Sequence, residues 1–336
     1  MNSHIVSHIP VSNRRTKSTM QTRQLGHSGP FLTEIGLGAW AIGGAWKWGW
    51  GRSDDQESTR AIHRSLDLGI NWIDTAAVYG LGHSEEVVGK ALKGKRDSVF
   101  LATKCGMVWE KQGDIPRRHL GRKSIRKEME DSLRRLGTDY VDLYQFHWPD
   151  RDTPVEESWS EMVRLREEGK TRYIGVCNFN VSLLTRCEAI SHVHSLQPIY
   201  NMLERDVEAE EFPYCRKNGI GVVAYSPMQS GLLTGTFDRS KLAHDDWRQE
   251  SDKFAGKNLE HGLKLAEQLR PIAAKYGKTV GQLAVAWVLA NEAVTSAIVG
   301  ARTEHHAREN VGAAGWKIDP RDLDAIQRLI EEGTPA

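Results

Sequence analysis

The sequence predicts an α/β chain closed into a (β/α)8 barrel. Two observations carry that class. Eight short apolar, β-rich runs alternate with stretches of helical period from about residue 33 to the end. Three of those runs end in polar groups that are costly to bury unpaired: Asp74 and Tyr79 in NWIDTAAVYG, Lys104 in VFLATKCG and His147 in VDLYQFHWPD. Parallel strands buried on both faces read as continuous apolar runs, and barrel enzymes place their chemistry at the C-terminal strand ends.

The first element is the segment QTRQLGHSGPFLTEIG, whose Gly-Pro turn lies between short β-like runs and suits an N-terminal hairpin closing the barrel floor. The strands follow at Thr33–Leu37, Ile70–Asp74, Val99–Lys104, Val141–Phe146, Tyr173–Asn178, Leu196–Asn201, Gly221–Tyr225 and Val294–Val299. Ile125, Met129, Leu133 and Leu136 form one helical stripe; Val155, Trp159, Met162 and Val163 form another. Ser124 is the expected N-cap of the first stripe, and Arg134 and Arg135 suit its C-terminal dipole. An open doubly wound sheet is the alternative. Gly36, Gly38 and Ala41 match a degenerate dinucleotide fingerprint, but IGGAWKWGWG after them is too rich in Gly and Trp to form the required helix. Met228–Lys257 is polar and aperiodic, and reads as a structureless functional loop or lid.

Composition limits the function classes. In 336 residues, 45 basic side chains face 44 acidic ones, a balance that offers nothing to nucleic acid or a membrane surface. No apolar run is long enough to span a bilayer, and residues 1–19 lack the apolar core of a signal peptide. They are expected to be a disordered extension, with 20–336 as one barrel domain. Cys105, Cys177, Cys187 and Cys215 are scattered without paired spacing, as expected of reduced thiols in the cytoplasm. His192 with His194, and His305 with His306, lack metal-ligand spacing, so no metal site is expected. Arg117, Arg118, Arg122 and Lys123 read as a solvated basic face near the third strand.

Asp74, Tyr79, Lys104 and His147 brought to one end of a barrel can supply the proton to a carbonyl that is being reduced by hydride. Tyr79 donates a proton to the developing alkoxide, Lys104 is expected to lower the phenol's pKa, and Asp74 keeps Lys104 charged. His147 fixes the substrate oxygen. Taken singly, each has an ordinary reading: a turn cap, a packed aromatic, a snorkelling lysine, a core imidazole beside Trp148. It is their shared placement that points to catalysis.

The stretches GINWIDTAAVYGLGHSEEVVGKAL, SIRKEMEDSLRRLGTDYVDLYQFHWPD, GKTRYIGVCNFN, VVAYSPMQSGLLTG and IVGARTEHHAREN resemble, in order, the motifs of the aldo-keto reductases, particularly a bacterial long-motif branch. The resemblance implies a triose-phosphate-isomerase-type (TIM) barrel binding NADPH in preference to NADH, with Asp74, Tyr79, Lys104 and His147 as catalytic tetrad. It implies that Asn178 and Gln197 hold the nicotinamide carboxamide, Tyr225 stacks on its ring, and Ser226, Gly231 and Leu232 wrap the pyrophosphate. Gly300, Arg302 and Thr303 would hold the 2′-phosphate, with His306, Glu309 and Asn310 near it and the adenine. Cys177 and His306 depart from the pattern: many relatives carry Ser at the first position, and Gln or Arg is usual at the second.

The Trp-rich segment Trp40, Trp46, Trp48 and Trp50 follows the first strand, so Trp46 and Trp48, with Trp109, are expected at the substrate mouth. The expected activity is reversible reduction of aldehydes or ketones to alcohols, on a sugar or a bulky ketone, by a monomer or homo-oligomer. The rival reading is an NADPH-binding redox-sensing subunit resembling the channel-associated β subunits of the same superfamily.

Overall fold

The computed structural model describes residues 20–333. The expectation for residues 1–19 lies outside them.

The strands are β1 (Thr22–Gln24), β2 (Phe31–Thr33), β3 (Ile35–Gly38), β4 (Trp72–Asp74), β5 (Phe100–Cys105), β6 (Met107–Val108), β7 (Arg117–Arg118), β8 (Val141–Phe146), β9 (Thr171–Cys177), β10 (Ser195–Gln197), β11 (Gly221–Ala224) and β12 (Val294–Gly300). The helices are α1 (Asp55–Asp67), α2 (His83–Ala91), α3 (Arg122–Leu136), α4 (Val155–Glu167), α5 (Val181–Glu188), α6 (Glu211–Asn218), α7 (Gly256–Lys275), α8 (Val280–Ala290), α9 (Glu304–Val311) and α10 (Pro320–Gly333). Eight strands pair in parallel in the order β3, β4, β5, β8, β9, β10, β11, β12, and β12 closes onto β3 through Ala297↔Ile35 to Gly300↔Gly38. The fold is therefore a (β/α)8 barrel.

Each barrel strand coincides with one expected apolar run. The two-sided burial that produces those runs is visible in β8, where all six residues are buried. Gly36 admits the ring of Trp72: a Cβ there would stand 2.1 Å from Trp72 Cε2. β1 and β2 form an antiparallel hairpin whose Leu25 and Leu32 pack with Trp72, Val223 and Ile298. It lies across the N-terminal strand ends, where the His27 amide donates to the Gly219 carbonyl at 3.1 Å.

Local chemistry explains the helices and two corrections. The stripe Ile125, Met129, Leu133 and Leu136 is buried in α3, which ends on left-handed Gly137 and carries Arg134 and Arg135 in its last turn. Its N-cap is Gly121, not Ser124. Ser124 sits inside the first turn, where its hydroxyl donates to Glu128 Oε1 at 3.0 Å, so it serves a buried acid instead of a free amide. Between β3 and α1 the Gly/Trp-rich run forms a single 3-10 turn, Trp40–Gly43, and no α-helix. The stretch 228–257 is not structureless: it runs through 3-10 turns at Gln229–Thr234, Arg239–Lys241, Trp247–Gln249 and Asp252–Phe254 before α7 begins. Short polar turns carry no long period, which hid them.

Candidate active site

The C-terminal ends of successive strands build the site. Asp74 ends β4, Lys104 lies one residue before the end of β5, and His147 and Asn178 follow β8 and β9. Gln197 ends β10, and Tyr225 follows β11. Parallel register aligns these ends side by side, so residues far apart in the chain converge.

Lys104 is the centre. Its Nζ donates to Asp74 Oδ2 at 2.6 Å, to the Thr75 carbonyl at 3.0 Å and to Tyr79 Oη at 3.1 Å. Both Asp74 and Lys104 are buried, so the ammonium has spent its three protons on named acceptors. Burial alone would strip its charge, but Asp74 and then Tyr79 hold its pKa above the ordinary lysine value. Gln197 Nε2 takes the other carboxylate oxygen, Asp74 Oδ1, at 2.9 Å.

Tyr79 corrects the sequence expectation. Its pKa is pushed up to about 12, because burial of the phenol outweighs the opposing pull of Lys104 and Asp74 adds to the rise. The phenol therefore holds its proton at neutral pH. Its ring meets the His147 ring edge-on, with centroids 5.5 Å apart. Burial, then the charge of Lys104, hold the imidazole well below its usual pKa, so His147 is neutral and has one N–H to donate.

The groups expected to hold a dinucleotide spread around the same rim. Asn178 adopts a left-handed φ of 59°; its Nδ2 donates to the His147 carbonyl at 3.2 Å and its Oδ1 accepts from Tyr225 Oη at 3.1 Å. Burial raises the Cys177 thiol beside it. Ser226, Gln229, Ser230 and Gly231 all have positive φ, and the Gln229 and Gly231 amides donate to the Ser226 and Met228 carbonyls at 2.9 and 3.1 Å, so the turn is closed by its own backbone. Leu232 points elsewhere: its side chain is buried against Gly262 of α7, leaving only its backbone for a ligand. The Gly300 carbonyl accepts from Asn310 Nδ2 at 3.0 Å, and the Glu309 carbonyl accepts from Gln282 Nε2 at 2.9 Å. Thr303 caps α9 through the His306 amide, and the Arg302 amide donates to His306 Nδ1 at 3.4 Å.

The tryptophans divide into two groups. Trp46 lies with its centroid 6.3 Å from Tyr79 and meets Trp48 edge-on at 5.4 Å. These two join Trp109 and Trp148 around Ala76, Val78 and Met107. Trp40 and Trp50 turn the other way, 5.5 Å apart, with Trp40 next to Trp247 at 5.7 Å. The Arg248 guanidinium lies 4.4 Å from the Trp50 ring centroid and that of Arg302 lies 5.7 Å from it. Neither Trp247 nor Arg248 stood out in the sequence, because an aperiodic loop offers no spacing to read. The basic run is divided as well: Arg118 stacks 4.8 Å from the Trp148 ring, while Arg122 and Arg126 bind buried Glu161. His192 pairs with Glu188, and among the described residues no group of three or more His, Cys, Asp or Glu could hold a metal.

A parallel barrel with an acid, an ammonium, a phenol and a neutral imidazole at its C-terminal mouth defines a barrel oxidoreductase. Residues 34–331 match the model of the aldo/keto reductase family. The chain is 40% identical over 316 residues to the aldo-keto reductase YhdN of Bacillus subtilis, covering 93% of this chain and 94% of that one. It is 36% identical to an NADH-specific methylglyoxal reductase of Escherichia coli, covering 93% and 99%. The structure of a glycerol dehydrogenase from Gluconobacter oxydans superposes with a TM-score of 0.85 at 38% identity, covering 94% and 96%. The chain belongs to the aldo/keto reductase family, and it is an oxidoreductase. Among the described residues no helix is long and apolar enough to cross a membrane.

Proposed function

We propose that the chain reduces aldehydes or ketones reversibly with NADPH, using Tyr79 as proton donor. The observation that carries this reading is the single ammonium of Lys104 bridging Asp74 Oδ2 and Tyr79 Oη. A dinucleotide fits the residues present. Among the described residues the buried indole N–H of Trp50, beside Arg302, has no hydrogen-bond partner, and the Arg302 guanidinium has only a long 3.5 Å contact to the Trp50 carbonyl. Asn178, Gln197 and Tyr225 would hold the nicotinamide, and Arg302 and Thr303 the 2′-phosphate. When bound, the cofactor supplies hydride to the carbonyl carbon.

The chain's own residues manage the proton. Tyr79 Oη gives its proton to the carbonyl oxygen as that oxygen gains charge. Lys104 Nζ then stabilises the phenolate across the same 3.1 Å contact. Asp74 and Gln197 hold Lys104 charged and aimed. His147, being neutral, donates its N–H to the substrate oxygen and orients it. In oxidation the phenolate accepts the alcohol proton.

Trp46, Trp48 and Trp109 form the wall nearest Tyr79, which suits a flat, sugar-like or bulky carbonyl substrate. The relatives named for glycerol and for methylglyoxal support small polyhydroxylated or dicarbonyl compounds as the first to test. NADPH is the preferred cofactor in this reading; the NADH-specific relative keeps NADH as the second. None of the relatives named above is a regulatory subunit. The test is a panel of carbonyls and alcohols with both cofactors, followed by nicotinamide absorbance. Turnover with several carbonyls supports the proposal; a chain that binds NADPH but consumes it with none of them rejects it.

A further inference from the structure

We infer that Glu57 sets the discrimination between phosphorylated and unphosphorylated nicotinamide dinucleotides. It places a carboxylate opposite Arg302 in the cavity where the adenosine ribose would end. This rests on the cofactor reading above.

The cavity measures about 250 Å³ and is lined by Arg52, Glu57, Ser58, Arg302, Thr303 and His306, among others. It opens where the first turn of α1 approaches the first turn of α9. Ser58 is only 1% exposed, yet among the described residues its Oγ has no hydrogen-bond partner. A buried hydroxyl left unpaired is costly, and its position in the wall calls for a polar ligand. Among the described residues Arg302 makes no ion pair. Its Nη1 has only a long contact, 3.5 Å, to the Trp50 carbonyl, so the guanidinium fork is free to take an incoming group. Among the described residues the Glu57 carboxylate likewise makes no ion pair, while its charge acts on both Arg302 and His306.

Two opposite charges that face one cavity without closing on each other are a selector. A 2′-phosphate gains the Arg302 fork but must approach the Glu57 carboxylate. A bare 2′-hydroxyl gains less from arginine but can donate to Glu57. The acids of this rim, Asp54 and Glu57, balance Arg52 and Arg302 in formal charge, so the cavity does not strongly favour a dianion. Asp54 is already committed: its Oδ1 accepts from the Glu57 amide at 2.8 Å as the N-cap of α1. Glu57 is the carboxylate left for a ligand. With it in place the chain prefers NADPH but also accepts NADH.

Dissociation constants for NADP+ and NAD+, measured on the full chain by calorimetry, test the inference. Wild type should bind both, NADP+ more tightly. Glu57→Gln should widen the preference for NADP+ by about tenfold, and Glu57→Lys should widen it further. The same comparison with 2′,5′-ADP and 5′-ADP should show the same change, locating it at the ribose. If both variants bind both dinucleotides with the wild-type ratio, Glu57 is not the selector and the cofactor reading stands. If wild type binds neither dinucleotide, the cofactor reading falls, and the inference with it.

Discussion

Gln197 holds Asp74 by the carboxylate oxygen that Lys104 leaves open. The two contacts, 2.9 Å to Oδ1 and 2.6 Å to Oδ2, satisfy a buried acid from strands 123 and 30 positions away in the chain. Gln197 thus has a structural duty besides any contact with a cofactor. Lys104→Met removes the cation and leaves the buried carboxylate to Gln197 alone, which should lower unfolding stability by roughly 3–5 kcal/mol. Gln197→Leu removes a neutral partner and should cost about 1–3 kcal/mol. Urea unfolding reads both; equal losses would mean that the ion pair with Lys104 holds the fold no better than the neutral contact with Gln197.

Tyr79→Phe deletes the proton donor and one of the three acceptors of Lys104, leaving Asp74 and the Thr75 carbonyl to hold the ammonium. Turnover should fall about 10²- to 10⁴-fold, while the NADP+ dissociation constant stays at its wild-type value. Unchanged turnover in a steady-state assay would reject Tyr79 as the acid.

The raised pKa of Tyr79 separates the two directions of reaction. With a value of about 12, the phenol is protonated across the usual assay range, so reduction kcat/KM should carry no break from Tyr79 below about pH 10. Oxidation needs the phenolate, whose fraction grows about tenfold per pH unit below the pKa, so its kcat/KM should rise steadily with pH. A Tyr79-dependent break near neutrality in the reduction profile would mean that Lys104 overcomes burial.

Glu128 makes stability depend on pH. Burial pushes its carboxyl up to about 7, against hydrogen bonds from the Gly106 amide and the Ser124 hydroxyl. A carboxyl with a raised folded pKa contributes fully below its unfolded value and loses that contribution as pH rises through the folded one. The melting temperature of wild type relative to Glu128→Gln should therefore be highest near pH 4 and fall by pH 8. The difference amounts to at most roughly 3 kcal/mol. A pH-independent difference would show that Glu128 ionises normally.

Arg302→Ala tests the other end of the ligand. Loss of a charge-assisted fork should weaken NADP+ by about ten- to a hundredfold and NAD+ far less. An equal loss for both, measured by calorimetry, would remove the 2′-phosphate from Arg302.

Much of this was readable from the chain before any coordinates. Burial of a parallel strand on both faces is written locally, as an unbroken apolar run, and each of the eight runs became a barrel strand. The polar groups that end those runs could be named because such groups are rarely left there without use. Single-turn structure could not be seen the same way. Ser124 looked like a cap but serves Glu128, and the turns of 228–257 have no period to detect.

By itself, then, the sequence determined the barrel, the order of its strands and which side chains stand at their ends, because those depend on periodicity and burial of neighbours in the chain. Only the tertiary structure decided that Gln197 shares Asp74 with Lys104, that four tryptophans in one loop part into two groups, and that Tyr79 is a weaker acid than its lysine neighbour suggested. Those outcomes depend on distance and desolvation through space, and neither is a property of any one segment.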